Sequence, residues 1–315
     1  MARYKEIQLD KIKTSSIAGR NSKVGLDMLA TPFQRGQSFD DFWKSLPAVL
    51  ASNDLKAVAA AVVAARKKNK PVLVMMGAHV IKVGLSPIFI DLMEQGMIQG
   101  IALNGAGAIH DMELAYYGKT SEDVGEAIRS GDFGMSQETS ALLNDTVIHG
   151  SQDGSGFGEA LGKRVLNDNP PFGHTSILGQ AYRMEIPVTV HVALGTDIVH
   201  QHPGADGAAI GSMSLRDFRI WAEAVAGLDN GGVLLLFGSC VVLPEVFLKA
   251  LTVARNIYGR ITGFTTASFD MIRHYRPRVN VVERPNQESG RGYMLVGHHE
   301  IMIPFLAAGI KTALK

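Results

Sequence analysis

Residues 72–114 read VLVMMGAHVIKVGLSPIFIDLMEQGMIQGIALNGAGAIHDMEL. Val72 to Met76 are apolar at every position, as in a parallel strand covered on both faces. Gly77, Ala78 and His79 follow as a small-residue loop. Ser86 and Pro87 suit the N-cap and first position of a helix over IFIDLMEQ, and Gly96 ends it. IQGIALNG predicts a second buried strand, with Asn104, Gly105, Ala106, Gly107 and Ala108 as the loop after it. Strand, loop, helix, strand and glycine loop is the order from which nucleotide sites are built, although the GxGxxG fingerprint is missing.

Working outward, residues 1–50 are polar and irregular and are expected to form an N-terminal arm or peripheral segment. Residues 51–315 are expected to form one α/β domain. Asn53 is placed to cap the alanine-rich helix DLKAVAAAVVAARKKNK, which carries basic residues in its last turn and stops at Pro71. Downstream the alternation recurs. A helix near Ser176 to Met184 precedes the strand IPVTVHVAL, and the helix LRDFRIWAEAVAGL precedes GGVLLLFGS. A helix near Pro244 to Asn256 and the strand ITGFTTAS complete the pattern, while GSQDGSGFGEALG at 150–162 reads as a mobile surface loop. Alternating strands and helices predict a doubly wound, Rossmann-like parallel sheet.

The bulk composition narrows the partners. A formal net charge of +1 gives no reason to expect nucleic acid or an anionic membrane surface. No run approaches the length of a membrane span, and the N-terminus lacks the apolar core of a signal peptide. One cysteine excludes an internal disulfide framework and suits a reducing, cytoplasmic setting.

In an open parallel sheet, ligands sit beyond the carboxyl ends of the strands. The loops expected there are Gly77-Ala78-His79, Asn104 to Ala108, Gly195-Thr196-Asp197, Gly238-Ser239-Cys240 and Thr265-Thr266-Ala267-Ser268. All are small or polar, which lets a ligand reach the backbone and leaves amide N–H groups free for phosphate oxygens. One such loop would be an ordinary tight turn; five together favour a nucleotide-sized ligand.

These pieces, with SILGQAYRMEIPV at 176–188, GVLLLFGSCVV at 232–242 and IPFLAA at 303–308, resemble the deoxyhypusine synthase family in order and spacing across roughly residues 70–310. The resemblance implies a Rossmann-like fold, NAD as cofactor, and a homotetramer with active sites between subunits. Members of that family oxidise spermidine with NAD and pass its aminobutyl group through an active-site lysine to a protein lysine. Carried over by position, Ala106 and Gly107 match the family's glycine loop and Asp111 an acidic residue, while His110 replaces a glutamate. Thr196 and Asp197 match a pair near cofactor and amine, Gly238 and Ser239 fall in a glycine-rich turn, and Thr266 and Ala267 match a pair beside the nicotinamide.

The catalytic groups do not carry over. Leu243-Pro244-Glu245 stands where the family has a lysine and two histidines, and VVERPNQESGRGYML lacks the nucleophilic lysine. Lys311 and Lys315 are the only lysines after Arg273. An imine needs a neutral amine at the substrate, so authentic deoxyhypusine synthesis is not expected. What remains is NAD-dependent chemistry on a small amine, such as a polyamine, or on another polar metabolite.

The expected acid–base residues are His200 or His202 together with Asp197, since imidazole titrates near neutrality. His79 and His110 follow sheet strands too. A metal-assisted hydrolase or lyase would need His200 and His202 to meet His298 and His299. A non-catalytic NAD-binding or sensing protein is the third reading. Cys240 reads as a small buried residue, and Lys82 as a contact for phosphate or solvent.

Overall fold

The computed structural model describes residues 4–314. The chain divides into two compact units, Met1–Asn53 and Asp54–Lys315. Within the first, 3-10 turns at Ile17–Gly19 and Leu26–Met28 interrupt an extended path to the helix Phe39–Ser45. A capping box begins that helix: the Asp41 amide donates to Ser38 Oγ (3.2 Å), and the Ser38 amide donates to the Asp41 carboxylate (2.9 Å). Phe33, Phe39, Phe42 and Trp43 gather into an aromatic group around it.

The second unit is built on six strands, all parallel. They are β1 (Val72–Met76), β2 (Gly100–Asn104), β3 (Val188–His191), β4 (Val233–Phe237), β5 (Thr265–Asp270) and β6 (Arg291–Val296). Their spatial order is β3-β2-β1-β4-β5-β6, in which the direction of winding reverses between β1 and β4. The sheet is doubly wound and Rossmann-like, as the alternation of elements predicts.

Both faces are buried because β1 and β4, at the centre, are apolar at every position. Leu73 and Met75 of β1 and Leu234 and Leu236 of β4 point to one face, where Trp221 and Val225 of the helix Gly207–Ala226 meet Phe247 and Leu251 of the helix Val242–Tyr258. Val72, Val74, Leu235 and Phe237 point to the other. There Phe89 of the helix Ser86–Glu94 and Leu306 of the helix His299–Thr312 leave a void of only about 20 Å³. A residual space this small shows a core filled to the density of protein interiors.

Several boundaries differ from the sequence reading. The alanine-rich helix begins at Leu50, so Asn53 lies in its first turn rather than capping it. Residues 150–162 are not a loop. The helices Gln137–Gln152 and Phe157–Asp168 occupy them, separated only by residues 153–156. β5 begins at Thr265 rather than ending near Ser268. Thr266 pairs with Leu234 and Gly292 in mid-sheet, so the loop after this strand starts at Met271. A segment with π-type hydrogen bonding, Pro277–Glu283, makes the crossover to β6.

Two buried aspartates hold the large helical excursion between β2 and β3 to the sheet. Asp217, on the helix Gly207–Ala226, accepts the amides of Phe157 (3.0 Å), Gly158 (3.0 Å) and Val190 (2.6 Å). Asp111 accepts the amides of Ile177 (2.7 Å) and Leu178 (3.2 Å) and the Ser176 hydroxyl, closing the start of the helix Ile177–Arg183. Burial raises the pKa of Asp111 to about 6 and that of Asp217 to about 7, and the amide bonds only partly oppose it. Each carboxyl therefore binds its proton more tightly in the folded chain than in the unfolded one, where its pKa is near 4. Ionisation costs stability, so stability is expected to fall as pH rises through 6 and 7. Urea denaturation at pH 5.5 and 8 should show the higher midpoint at pH 5.5. Asp217→Asn, which removes one ionisation and one good acceptor, should lower both midpoints and shrink their difference.

Candidate functional site

β2 runs directly into the helix Gly105–Tyr117 without an intervening loop. Asn104 is its N-cap, and Asn104 Oδ1 accepts the Gly107 amide (3.1 Å). Asp197, after β3, sits over the same helix end and accepts the Ala106 amide. Such a close seat requires that Gly105 have no side chain: a Cβ there would fall 1.8 Å from Asp197 Oδ2. The positive end of the helix dipole is thus already met by a carboxylate. Burial raises the pKa of Asp197, against the opposing effects of His200, the Ala106 amide and Thr196.

This arrangement changes what the glycine loop can hold. The first-turn amides expected for a phosphate face Asn104 and Asp197 instead, so a phosphate here would meet a carboxylate. The space beside them is a cleft of about 340 Å³, lined by Ala106, His110, Glu113, Glu122 and Asp197, with Lys82 across from them. An adjoining cleft of about 530 Å³ shares Glu113, Glu122 and Ser136 and adds Lys119 and Glu138. Carboxylates outnumber cations in both, which suits a ligand carrying positive charge. A further cleft, of about 490 Å³, opens between Leu166, Tyr182 and Ile220. It lies at the amino end of β3, away from the strand tips where ligands of such sheets bind.

On the helix Gly105–Tyr117, His110 and Glu113 stand three residues apart, hence on one face. His110 Nδ1 lies 2.6 Å from Thr120 Oγ1, the Thr120 hydroxyl donates to Glu113 Oε2, and Thr139 Oγ1 donates to Glu113 Oε1 (2.9 Å). Burial works to raise the Glu113 pKa, but the bonds from its neighbours, His110, Thr120 and Thr139, outweigh it and hold the carboxyl below its ordinary value. Glu122 is pinned by the Gly134 amide (2.8 Å).

At the reversal between β1 and β4 the backbones nearly touch. A Cβ on Gly77 would lie 2.1 Å from the Gly238 carbonyl oxygen, and Gly238 itself has φ of +60°. His299 packs against Gly238, and its Nε2 lies 3.2 Å from the Phe269 carbonyl, to which it can only donate. That leaves Nδ1 as a buried acceptor without a partner among the described residues. Ala78 and His79 open the short helix Ala78–Lys82 beside them, with the His79 ring 5.8 Å from that of His299. Burial, then the neighbouring His299, lowers the His79 pKa. Ser239 is buried, and its hydroxyl accepts the Leu243 amide (3.3 Å).

The expected residues therefore separate into groups. Ala106, Thr196 and Asp197 line the acidic cleft, with Gly105 and Gly107 packed beneath it. Gly77, Ala78, His79, Gly238 and Ser239 lie at the reversal point. Asp111 is wholly buried and spent on capping a helix, so it is not a ligand contact. Thr266 and Ala267 are buried in mid-strand, with Thr266 Oγ1 accepting from Asn286. They are removed from the cofactor shell because β5 starts where the sequence reading ended it.

The histidine expectations change as well. His200 Nδ1 accepts the amides of Gly195 (3.2 Å) and Asp197 (3.3 Å), and its Nε2 is 4.0 Å from Asp197 Oδ2. Its neutral ring therefore offers no free lone pair. His202 Nε2 donates to the Gly134 carbonyl (2.8 Å). His298 is exposed beside Glu300, and His299 begins a helix rather than lying in a strand. Among the described residues no three His, Cys, Asp or Glu side chains gather as metal ligands. Cys240 is exposed rather than buried. Glu113, Glu122, Thr120 and Thr139 escaped the sequence reading. Their signal was the i, i+3 pair His110/Glu113, hidden because Gly105–Ala108 was read as loop.

No known protein family and no curated protein sequence matches the chain. Solved structures do. AgrE, crystallised in a ternary complex with ornithine and NAD+, superposes with a TM-score of 0.56 at 15% identity, over 84% of this chain and 34% of AgrE. ArgZ, an arginine dihydrolase from the ornithine-ammonia cycle in cyanobacteria, gives 0.51 at 14% identity, over 84% of this chain and 33% of ArgZ. A candidate deoxyhypusine synthase from Entamoeba histolytica gives 0.50 at 11% identity, over 89% and 95% of the two chains. The chain thus spans about a third of the length of AgrE and ArgZ. At these identities the likeness establishes a shared Rossmann-like fold, one that also occurs in an NAD-containing structure. No helix among the described residues is long and apolar enough to cross a membrane.

Gly105→Ala tests the seat of Asp197. The methyl group must displace the carboxylate, with an expected loss of about 1–3 kcal/mol for an overpacked site. Urea denaturation reads the loss, and Ala108→Gly, away from the carboxylate, should cost only about 1 kcal/mol.

Proposed function

We propose that this chain is an NAD-dependent enzyme acting on a small amine. The observation that carries the reading is the acidic cleft. Asp197 takes the helix N-terminus that a phosphate would otherwise use, and Glu113 and Glu122 add negative charge around the same space. A carboxylate-lined cleft attracts an ammonium group and disfavours an anion.

NAD is assigned to the reversal point rather than to the glycine loop. Gly77, Gly238, Ser239 and His299 would hold it. The unpartnered His299 Nδ1 suits a ligand that carries an amide or hydroxyl donor, and the absence of side chains at Gly77 and Gly238 lets it approach the main chain. Bound there, NAD supplies a hydride acceptor. The chain's own residues orient the amine: Asp197 and Glu122 accept its N–H bonds, and Lys82 faces any carboxylate the amine carries. AgrE was crystallised with ornithine, an amine, and NAD+, which supports this pairing of ligands. A homotetramer working in the cytoplasm is the setting we propose, by resemblance to deoxyhypusine synthases. The lysine needed to carry an aminobutyl group is missing from the stretch where that family holds it, so the amine is not transferred through an imine to the protein.

Calorimetric titration tests the reading. NAD is expected to bind saturably, and 1,4-diaminobutane or ornithine to bind more tightly with NAD present than without. Asp197→Asn should weaken amine binding about tenfold or more, roughly 1.4 kcal/mol, and leave NAD affinity nearly unchanged. No NAD binding at millimolar concentration would overturn the assignment.

A further inference from the structure

The acidic cleft holds one titratable group whose hydrogen bonds fix both its tautomer and the atom it presents. Thr120 and Thr139 each have one hydroxyl proton, and both donate it to Glu113. Ser136 in turn donates to Thr139 Oγ1 (3.0 Å). With its proton committed to Glu113, the Thr120 oxygen can only accept from His110 Nδ1 at 2.6 Å. The proton of neutral His110 is therefore on Nδ1. Nε2 carries the lone pair and has no partner among the described residues, and the ring lines the cleft.

We propose that His110 is the proton acceptor of this cleft, poised through Thr120 by Glu113, and that its Nε2 takes a proton from the ammonium group of the bound amine. The ammonium N–H bond breaks, its electron pair stays on the amine nitrogen, and the proton forms a new bond at Nε2. The neutral amine that results can give up hydride, and the cation that forms is His110 imidazolium. Glu113 Oε2, 3.8 Å from Nδ1, stabilises that cation. Carboxylate–hydroxyl–imidazole coupling of this kind orients a base and favours its protonated form.

The charges around His110 come from four directions. Glu113 is on its own helix, Lys82 on the helix Ala78–Lys82, Glu122 on the segment after Thr120, and Asp197 after β3. Three carboxylates against one ammonium leave the cleft with an excess of negative charge, which a ligand's positive charge offsets. The choice of an ammonium as proton donor rests on the function proposed above. The identity of the accepting atom does not.

The test is made on the full chain without ligand. With 15N-labelled histidine, two-bond 1H–15N correlations report which ring nitrogen is protonated, and His110→Gln assigns the signal. Neutral His110 is expected as the Nδ1–H tautomer. Thr120→Val, which removes the acceptor, should move it toward Nε2–H. Glu113→Gln, whose amide can donate to the Thr120 oxygen and free the hydroxyl proton to face Nδ1, should move it the same way. An Nε2–H tautomer in the native chain, or a tautomer unmoved by Thr120→Val in a variant that still gives the native spectrum, would overturn the proposal. Failure of NAD to bind would overturn the function above and leave this measurement intact.

Discussion

The contact between Asp197 and the first turn of the helix Gly105–Tyr117 decides what the molecule can bind. Rossmann-like sheets usually leave the helix after a strand open for a phosphate, because its amides and dipole attract negative charge. Here the protein supplies the negative charge itself. Gly105 leaves the space, Asn104 and Asp197 take the amides, and the glycine loop becomes the wall of a cationic-ligand cleft. The cofactor assignment then moves to the junction of β1 and β4, where Gly77 and Gly238 meet backbone to backbone.

The two regions differ in kind. The junction is nearly featureless in side chains and rich in main chain, with His299 Nδ1 buried and unmatched among the described residues. The cleft is rich in side chains that hold one another: Ser136 to Thr139 to Glu113, and His110 to Thr120 to Glu113. Such linked hydroxyls and carboxylates fix rotamers in advance, so little ordering remains to be done when a ligand arrives.

Much of the fold was legible because central parallel strands are apolar at every position, which marks β1, β2 and β4 at once. β5 was harder. Its alternation of Thr266, Ser268 and Asp270 with Ala267 and Phe269 resembles a loop in its small polar residues, yet every residue after Thr265 is buried. The helices Gln137–Gln152 and Phe157–Asp168 were obscured for a related reason. The glycines at 154, 156 and 158 suggest a flexible stretch, whereas Gly156 and Gly158 are needed for close packing on Asp217 and on the Val188 carbonyl. Of the site, the small residues at strand ends were legible and the chemistry was not. The roles of His200 and His202 turn on which carbonyl or amide each ring meets, and spacing alone says nothing of that.

Ser214 and Asp217 on the helix Gly207–Ala226 have one more consequence. β3 is the terminal strand of the sheet, and a terminal strand presents unpaired N–H and C=O groups to any other chain. Asp217 takes the Val190 amide, while Ser214 accepts from the Val192 amide (3.0 Å) and donates to the Val190 carbonyl (3.1 Å). The helix thus acts as a surrogate neighbour along this border, a plug made of two side chains. Recruitment of a foreign strand, the first step of edge-to-edge aggregation, is opposed along the β3 border by these bonds.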